Sequence, residues 1–104
     1  MDSTQTNSNI QSRFGNITFT AIDIGKIPES TDIPMYHDFP DGFNSNNTFL
    51  IAIRVLRNNG QFVYSDNGQT CNVIFDRGRI SVYATDYGLQ YCHGEKISCL
   101  LAKI

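Results

Sequence analysis

Residues 48–57, TFLIAIRVLR, decide the fold of this chain together with residues 97–104, ISCLLAKI. The side chains of a β-strand alternate between its two faces, so a strand with one solvent-facing side should alternate apolar with polar residues. In the first stretch both faces are apolar, and Arg54 is the only interruption before its end. A small domain has a single core, which covers one face of such a strand. We therefore expect the second face to be covered by another layer of the same chain or by a second copy of it.

The rest of the chain reads as short strands separated by turns. Asparagine, aspartate and glycine mark these turns, as at residues 58–60 (NNG) and 66–68 (DNG), and these residues tolerate the positive φ angles that tight turns require. No segment shows helical periodicity. The predicted strands cover residues 16–24, 48–57, 61–64, 69–76, 79–85, 89–93 and 95–103, with an extended edge segment at 32–37. The pattern predicts an all-β fold, an antiparallel β-sandwich or flattened barrel of about seven or eight strands.

Length and composition set the organisation of the chain and exclude several partners. With 104 residues it is expected to form one domain at residues 14–104 after a flexible polar lead-in at residues 1–13. The net charge is −2 and the basic residues are scattered, so no nucleic-acid partner is expected. No run of about 20 apolar residues exists, so no membrane insertion is expected. The N-terminal residues lack an apolar segment, and no signal peptide is predicted.

The chain has three cysteines, Cys71, Cys92 and Cys99. An odd number argues against a complete disulfide framework, and none of them has the CxxC spacing of a metal or redox motif. Each lies inside a predicted strand, where a free cysteine usually serves as a small buried apolar residue. We expect three free, buried thiols and a reducing compartment.

The sequence gives little support for a cysteine nucleophile or for a metal site. Cys92 and His93 are adjacent, and adjacent residues of a strand point to opposite faces, so they cannot form a nucleophile–base pair. His37 and His93 are the two histidines of the chain, and they lie in different regions, so one chain offers no metal site. A three-fold assembly could bring three copies of either histidine together on its axis. We predict no metal site within one chain and no cofactor.

Pairs of carboxylates could hydrolyse a glycosidic bond. The available sets are Asp38 with Asp41 and Asp66 with Asp86. Three of these four aspartates fall in predicted turns, where aspartate accepts hydrogen bonds from its own turn backbone. Turn chemistry therefore explains them without catalysis, and we predict no catalytic residues and no enzymatic activity.

Tyrosine gives a better indication of a binding surface. The five tyrosines fall at strand ends, turns or outward positions, and rigid rings with one polar tip suit sugar or protein recognition. Tyrosine is also enriched in strands for structural reasons. We predict that the loops at 58–60, 65–68 and 86–88 present side chains to a ligand. The candidate ligand-binding residues are Asn59, Tyr64, Asp66, Asn67 and Tyr87.

Four stretches form a characteristic succession of apolar strands and turns: residues 33–43 (IPMYHDFPDGF), 48–64 (TFLIAIRVLRNNGQFVY), 79–85 (RISVYAT) and 96–104 (KISCLLAKI). This succession resembles the C-terminal head domains of bacteriophage tail fibres and related receptor-binding proteins. The resemblance contains no catalytic motif. It implies an antiparallel β-sandwich that is trimeric and binds host-surface glycans or proteins without turnover. Since only a dozen polar residues precede the first predicted strand, no fibre shaft is expected in this stretch.

The resemblance implies a function in host attachment. The chain would be a non-enzymatic tail-fibre head of the virion, assembled in the bacterial cytoplasm, that binds a bacterial surface glycan or protein as a homotrimer. Candidate residues of the interface between copies are Leu50, Ala52, Leu56, Leu100 and Ala102. Two alternatives stay open: a purely structural virion or tail-tip protein, and a stand-alone carbohydrate-binding module of a bacterial enzyme.

Overall fold

The computed structural model describes residues 10–104, and in that range the chain forms eight strands and one short helix. Every strand pairing is antiparallel. The elements are β1 (Gln11–Phe14), β2 (Ile17–Lys26), β3 (Met35–Asp38), β4 (Thr48–Leu56), β5 (Phe62–Ser65), β6 (Cys71–Asp76), β7 (Arg79–Ala84), α1 (Asp86–Tyr91) and β8 (Lys96–Lys103). The predicted all-β fold is therefore confirmed.

The strands form two sheets. The larger sheet has the order β1-β2-β8-β4-β5 and the smaller has the order β3-β7-β6. Neither sheet closes on itself, so the architecture is sandwich-like and not a barrel. The C-terminal strand β8 lies between β2 and β4, in the middle of the larger sheet. This central position explains why the sequence of β8 is apolar along most of its length.

The core lies between the two sheets. From the larger sheet it takes Ile22, Ile53 and Leu101, and from the smaller sheet it takes Ile80 and Val82. All five side chains are almost completely removed from solvent. Burial of such aliphatic side chains is the main favourable term in folding, at roughly 25 cal/mol per Å² of apolar surface.

A β-bulge in β4 changes which residues face the core. Leu50 pairs with Leu101 of β8, but the next pair in register is Ala52 with Leu100, so Ile51 is an extra residue on β4. An extra residue exchanges the two faces of a strand. Leu50 consequently packs against the core and Ile51 is exposed. The prediction that Leu50 lies on the face offered to another copy is wrong for this reason.

The segment after β7 is helical, and the prediction of a turn at 86–88 followed by a strand at 89–93 is wrong. Helix α1 begins after Thr85, whose hydroxyl oxygen accepts a hydrogen bond from the backbone N–H of Gly88 at 3.0 Å. The same hydroxyl donates to the carbonyl oxygen of Thr70 at 2.9 Å. A capping threonine satisfies one of the free N–H groups of the first turn. The helix is anchored in this way to the start of β6.

Strand β1 occupies part of the predicted lead-in. It pairs with β2 at the edge of the larger sheet, through a turn in which Gly15 has a φ angle of +60°. The four residues of β1 are all exposed, so its sequence carries no alternation of apolar and polar residues. The lead-in prediction is wrong for residues 11–13, and residues 1–9 of the lead-in lie outside the described residues.

Candidate functional site

The side of the larger sheet that points away from the smaller sheet is mainly apolar and open to solvent, with Asp23, Arg54 and Lys96 among its polar residues. We call it the outer face. Phe49 is 56% exposed, Phe62 52% and Tyr64 71%. Its apolar side chains include Phe19, Phe49, Leu56, Phe62, Tyr64 and Leu100. Large apolar side chains grouped on one exposed surface are typical of interaction sites.

Four of the five residues predicted to contact another copy lie on the outer face. Ala52 and Leu100 are directly opposite each other across β4 and β8, and Leu56 lies further along β4. Ala102 lies opposite Phe19 on one side and Phe49 on the other. Because Ala102 is only 4% exposed, the two neighbouring phenylalanines would make most of the contact there.

Small side chains leave a depression in the outer face. Ala21, Ala52 and Ser98 line a shallow hollow of about 220 Å³ together with Arg54 and Tyr64. Arg54 lies opposite Tyr64 in register, and its guanidinium carbon is 4.0 Å from the centre of the Phe62 ring. This cation–π contact holds a positive charge within a mainly apolar surface.

The five residues predicted to bind a ligand do not form one site. Asn59 lies in the turn between β4 and β5, and Asp66 with Asn67 lies in the turn at the opposite end of β5. Tyr64 belongs to the outer face. Tyr87 lies in α1. Strand β5 separates the two turns, because they lie at its opposite ends.

Asparagine side chains in these turns have structural partners. Asn67 accepts a hydrogen bond from the N–H of Val73 at 2.7 Å and donates to the carbonyl oxygen of Val73 at 3.2 Å. The side-chain amide of Asn67 thus makes the two backbone hydrogen bonds that a neighbouring strand would make at the edge of β6. Asn59 accepts from the N–H of Gln61 at 3.0 Å. Turn formation therefore accounts for both residues.

Tyr87 forms a pair with Tyr91, one of the five tyrosines noted in the sequence but not one of the candidate ligand-binding residues. The ring centres are 4.9 Å apart and the planes are inclined by 47°. Both side chains are about half exposed. The residues are four positions apart on α1, which places them on the same side of a helix. We call this pair the tyrosine platform.

Arg57 and Glu95 lie next to the tyrosine platform. Arg57 donates from Nε to Glu95 Oε2 at 2.7 Å and from Nη2 to the carbonyl oxygen of Tyr91 at 3.3 Å. Glu95 Oε2 also accepts from the backbone N–H of Asn58 at 3.0 Å. These bonds tie the end of β4 to α1 and to the start of β8.

Glu95 is a buried carboxylate, with 4% of its side chain exposed. Burial raises its pKa, but the hydrogen bonds from Arg57 and from the N–H of Asn58, with the charge of Arg57, outweigh burial and lower the pKa below its usual value. The carboxylate therefore stays ionised at neutral pH. Its Oε1 atom has no hydrogen-bond partner among the described residues.

The three thiols are free and buried, as predicted. Burial raises the pKa of Cys71 to about 11 and that of Cys99 to about 12. Burial also raises the pKa of Cys92. Because the thiolate is the reactive form of cysteine, these side chains are poorly suited to nucleophilic chemistry.

Residues 10–104 contain no group of three or more histidine, cysteine, aspartate or glutamate side chains placed to hold a metal ion. In the same range no helix has the length and apolar character needed to cross a membrane. The site residues thus comprise an apolar sheet surface and a tyrosine–arginine cluster. Comparison with known proteins gives no match, whether to a family model, to a curated protein or to a solved structure.

Proposed function

We propose that this chain is a non-enzymatic recognition head of a bacteriophage tail fibre, which binds a bacterial surface component and works as a homotrimer. The observation that supports it best is the outer face, where Phe49, Phe62 and Tyr64 are more than half exposed. A surface of this kind suits an assembly in which copies cover one another. The assignment to a tail fibre rests on the sequence resemblance alone.

The dimensions of the outer face suit contact between copies. The strands β1, β2, β8, β4 and β5 have 4, 10, 8, 9 and 4 residues, which at about 3.3 Å per residue and about 4.8 Å per strand give a flat area of roughly 550 Å². This is about two-thirds of the roughly 800 Å² per partner of a standard protein interface, so loops beside the sheet would add the rest of the contact. At about 25 cal/mol per Å², the gross burial would exceed common estimates of the cost of association.

Binding without turnover agrees with the chemistry of the described residues. The thiols are buried and difficult to ionise, and Asp66 is part of a turn held by backbone hydrogen bonds. Solvent-facing groups include tyrosine rings, amides and arginines, beside carboxylates such as Asp38 and Asp86. Such groups form complementary surfaces at low entropic cost.

The exposed tyrosine platform also supports the second candidate, a carbohydrate-binding module that acts as a monomer. Aromatic pairs on an open surface would serve either function. The two candidates differ in stoichiometry and in target. A fibre head would bind whole bacteria as an oligomer, whereas a carbohydrate-binding module would bind a polysaccharide as a monomer.

Binding of labelled protein to intact bacteria tests the proposal. On a susceptible strain we expect saturable binding, weakened in Tyr87→Ala and unchanged in the matched control Tyr36→Ala, whose ring is exposed on the smaller sheet. Absence of binding to every strain of a broad panel would contradict the recognition function and favour a structural role in the virion.

A further inference from the structure

The tyrosine platform presents two ring surfaces to solvent in one small area. Tyr87 and Tyr91 are in contact through rings inclined by 47°, and their surroundings are fixed by the anchored start of α1. The C–H groups on one face of a pyranose ring pack on an aromatic surface, while the sugar hydroxyls and the phenol groups remain hydrated. The platform therefore has the character of a shallow sugar-binding surface.

Arg57 is held beside the platform with part of its donor capacity unused. Nε and Nη2 donate to Glu95 and to the carbonyl oxygen of Tyr91, which uses two of the five N–H groups of the guanidinium. The guanidinium side chain is 37% exposed. The hydrogen bond and charge of Glu95 are the main causes that raise the pKa of Arg57. A fixed guanidinium with free N–H groups is well suited to bind a carboxylate.

Lys26 and Lys96 lie directly opposite each other across β2 and β8, and Lys96 lies opposite Leu56. Their side chains therefore belong to the outer face, as that of Leu56 does, and are not part of the tyrosine platform.

We propose that Tyr87, Tyr91 and Arg57 form a binding site for a sugar that carries a carboxylate group, such as a hexuronate. The pyranose ring lies on the tyrosine platform, and its carboxylate accepts hydrogen bonds from the free N–H groups of Arg57. This inference rests on the proposed recognition function and specifies the chemical class of the receptor as an acidic glycan.

An acidic peptide is the competing ligand, because it also offers carboxylates. The sugar is favoured by the pair of inclined, half-exposed rings, since two adjacent aromatic surfaces match the broad face of a pyranose. A peptide carboxylate would need the arginine but not the second ring. The two ligands therefore differ in their dependence on Tyr87.

Titrations followed by NMR of the tyrosine rings test the proposal directly. The probes are sodium glucuronate, methyl glucoside as a neutral sugar of similar size, sodium acetate as an anion without a ring, and a short glutamate-containing peptide. We expect glucuronate to shift the ring signals of Tyr87 and Tyr91 with a dissociation constant about fivefold to tenfold lower than that of methyl glucoside. Acetate should leave the ring signals almost unchanged. Equal affinity for glucuronate and methyl glucoside, or tighter binding of the peptide, would overturn the proposal.

Variants separate the contributions of the rings from those of the charges. Tyr87→Ala should weaken glucuronate binding by about fivefold to tenfold, whereas Tyr36→Ala should leave it unchanged. Tyr36 is the matched control because it is exposed and packs against a guanidinium, that of Arg79, at 3.7 Å. Arg57→Lys keeps a positive charge beside Glu95 but removes the further N–H groups of the guanidinium, so it should weaken binding of glucuronate but not of methyl glucoside.

Cell binding distinguishes this inference from the proposed function. If wild type and Tyr87→Ala bind bacteria equally well, the acidic-glycan site is wrong and the recognition function stands. If glucuronate binds as expected but no bacterial strain binds the protein, the recognition function fails and the sugar site identifies a carbohydrate-binding module. If neither binding is observed, both are wrong.

Discussion

Arg57 donates from Nε to the buried Glu95 Oε2 at 2.7 Å, and this ion pair joins residues 38 positions apart in the chain. It connects the end of β4, the last turn of α1 and the start of β8. Removing one partner of a buried ion pair leaves the other without compensation. The ion pair therefore stabilises the contact between β4, β8 and α1, and it fixes the position of the helix that carries the tyrosine platform.

Acid should destabilise the protein through Glu95. Its pKa in the folded state is lowered from the usual 4.5, so its ionised form contributes stability above about pH 4.5 that is lost as the pH falls through the lowered pKa. We expect the urea midpoint to fall below this pH in the wild type and to fall less in Glu95→Gln. At pH 7 the glutamine variant should be the less stable of the two. A wild type and variant with parallel pH profiles would contradict this role.

Gly88 should resist replacement by alanine, although alanine normally favours a helix. A Cβ atom at this position would clash with the carbonyl oxygen of Thr70 and approach its carbonyl carbon to 3.0 Å. We expect Gly88→Ala to lower the free energy of unfolding by about 1–3 kcal/mol. The control is Gln90→Ala, an exposed position of the same helix, which should be neutral or slightly stabilising. Stabilisation by both changes would show that α1 does not pack on Thr70.

The β-bulge predicts opposite behaviour of two neighbouring residues. Leu50 packs on the core, so Leu50→Ala should cost about 2 kcal/mol or more in urea unfolding. Ile51 is the exposed extra residue, so Ile51→Ala should change stability by less than about 0.5 kcal/mol. The reverse order would place Ile51 in the core and remove the bulge.

Thiol reactivity tests the burial of the cysteines. The pKa of Cys71 is about 11 and that of Cys99 about 12, both raised by burial. At pH 8 a disulfide reagent should therefore label the folded protein slowly and label all three thiols once urea unfolds it. Rapid labelling of one thiol in the folded state would mean that the residues burying this thiol move away by local unfolding.

The sequence predicted strands well where their apolar residues were dense. Residues 48–57 and 95–103 were placed within one residue of β4 and β8, because strands in the middle of a sheet are apolar and bounded by turns. Strand β1 was missed because its residues are all exposed. Such an edge strand is held by backbone hydrogen bonds, which leave no signal in the side-chain pattern.

Two local features escaped prediction for a different reason. Helix α1 has six residues, too few for a periodic pattern to emerge, although Thr85 followed by Asp86 is a recognisable start signal. The bulge at Ile51 depends on the pairing of β4 with β8 and is invisible within one strand. Consequently the pairing of Tyr87 with Tyr91 and the inward position of Leu50 could not be foreseen.

The central claim is that other copies of the chain cover the outer face. Sedimentation equilibrium at neutral pH over a wide concentration range should give three times the 11.7 kDa mass of one chain. Phe49→Glu, on the outer face, should shift the mass toward that of one chain, whereas Ile74→Glu, at an exposed position of the smaller sheet, should not. A wild type that remains a single chain at the highest concentration would contradict the claim.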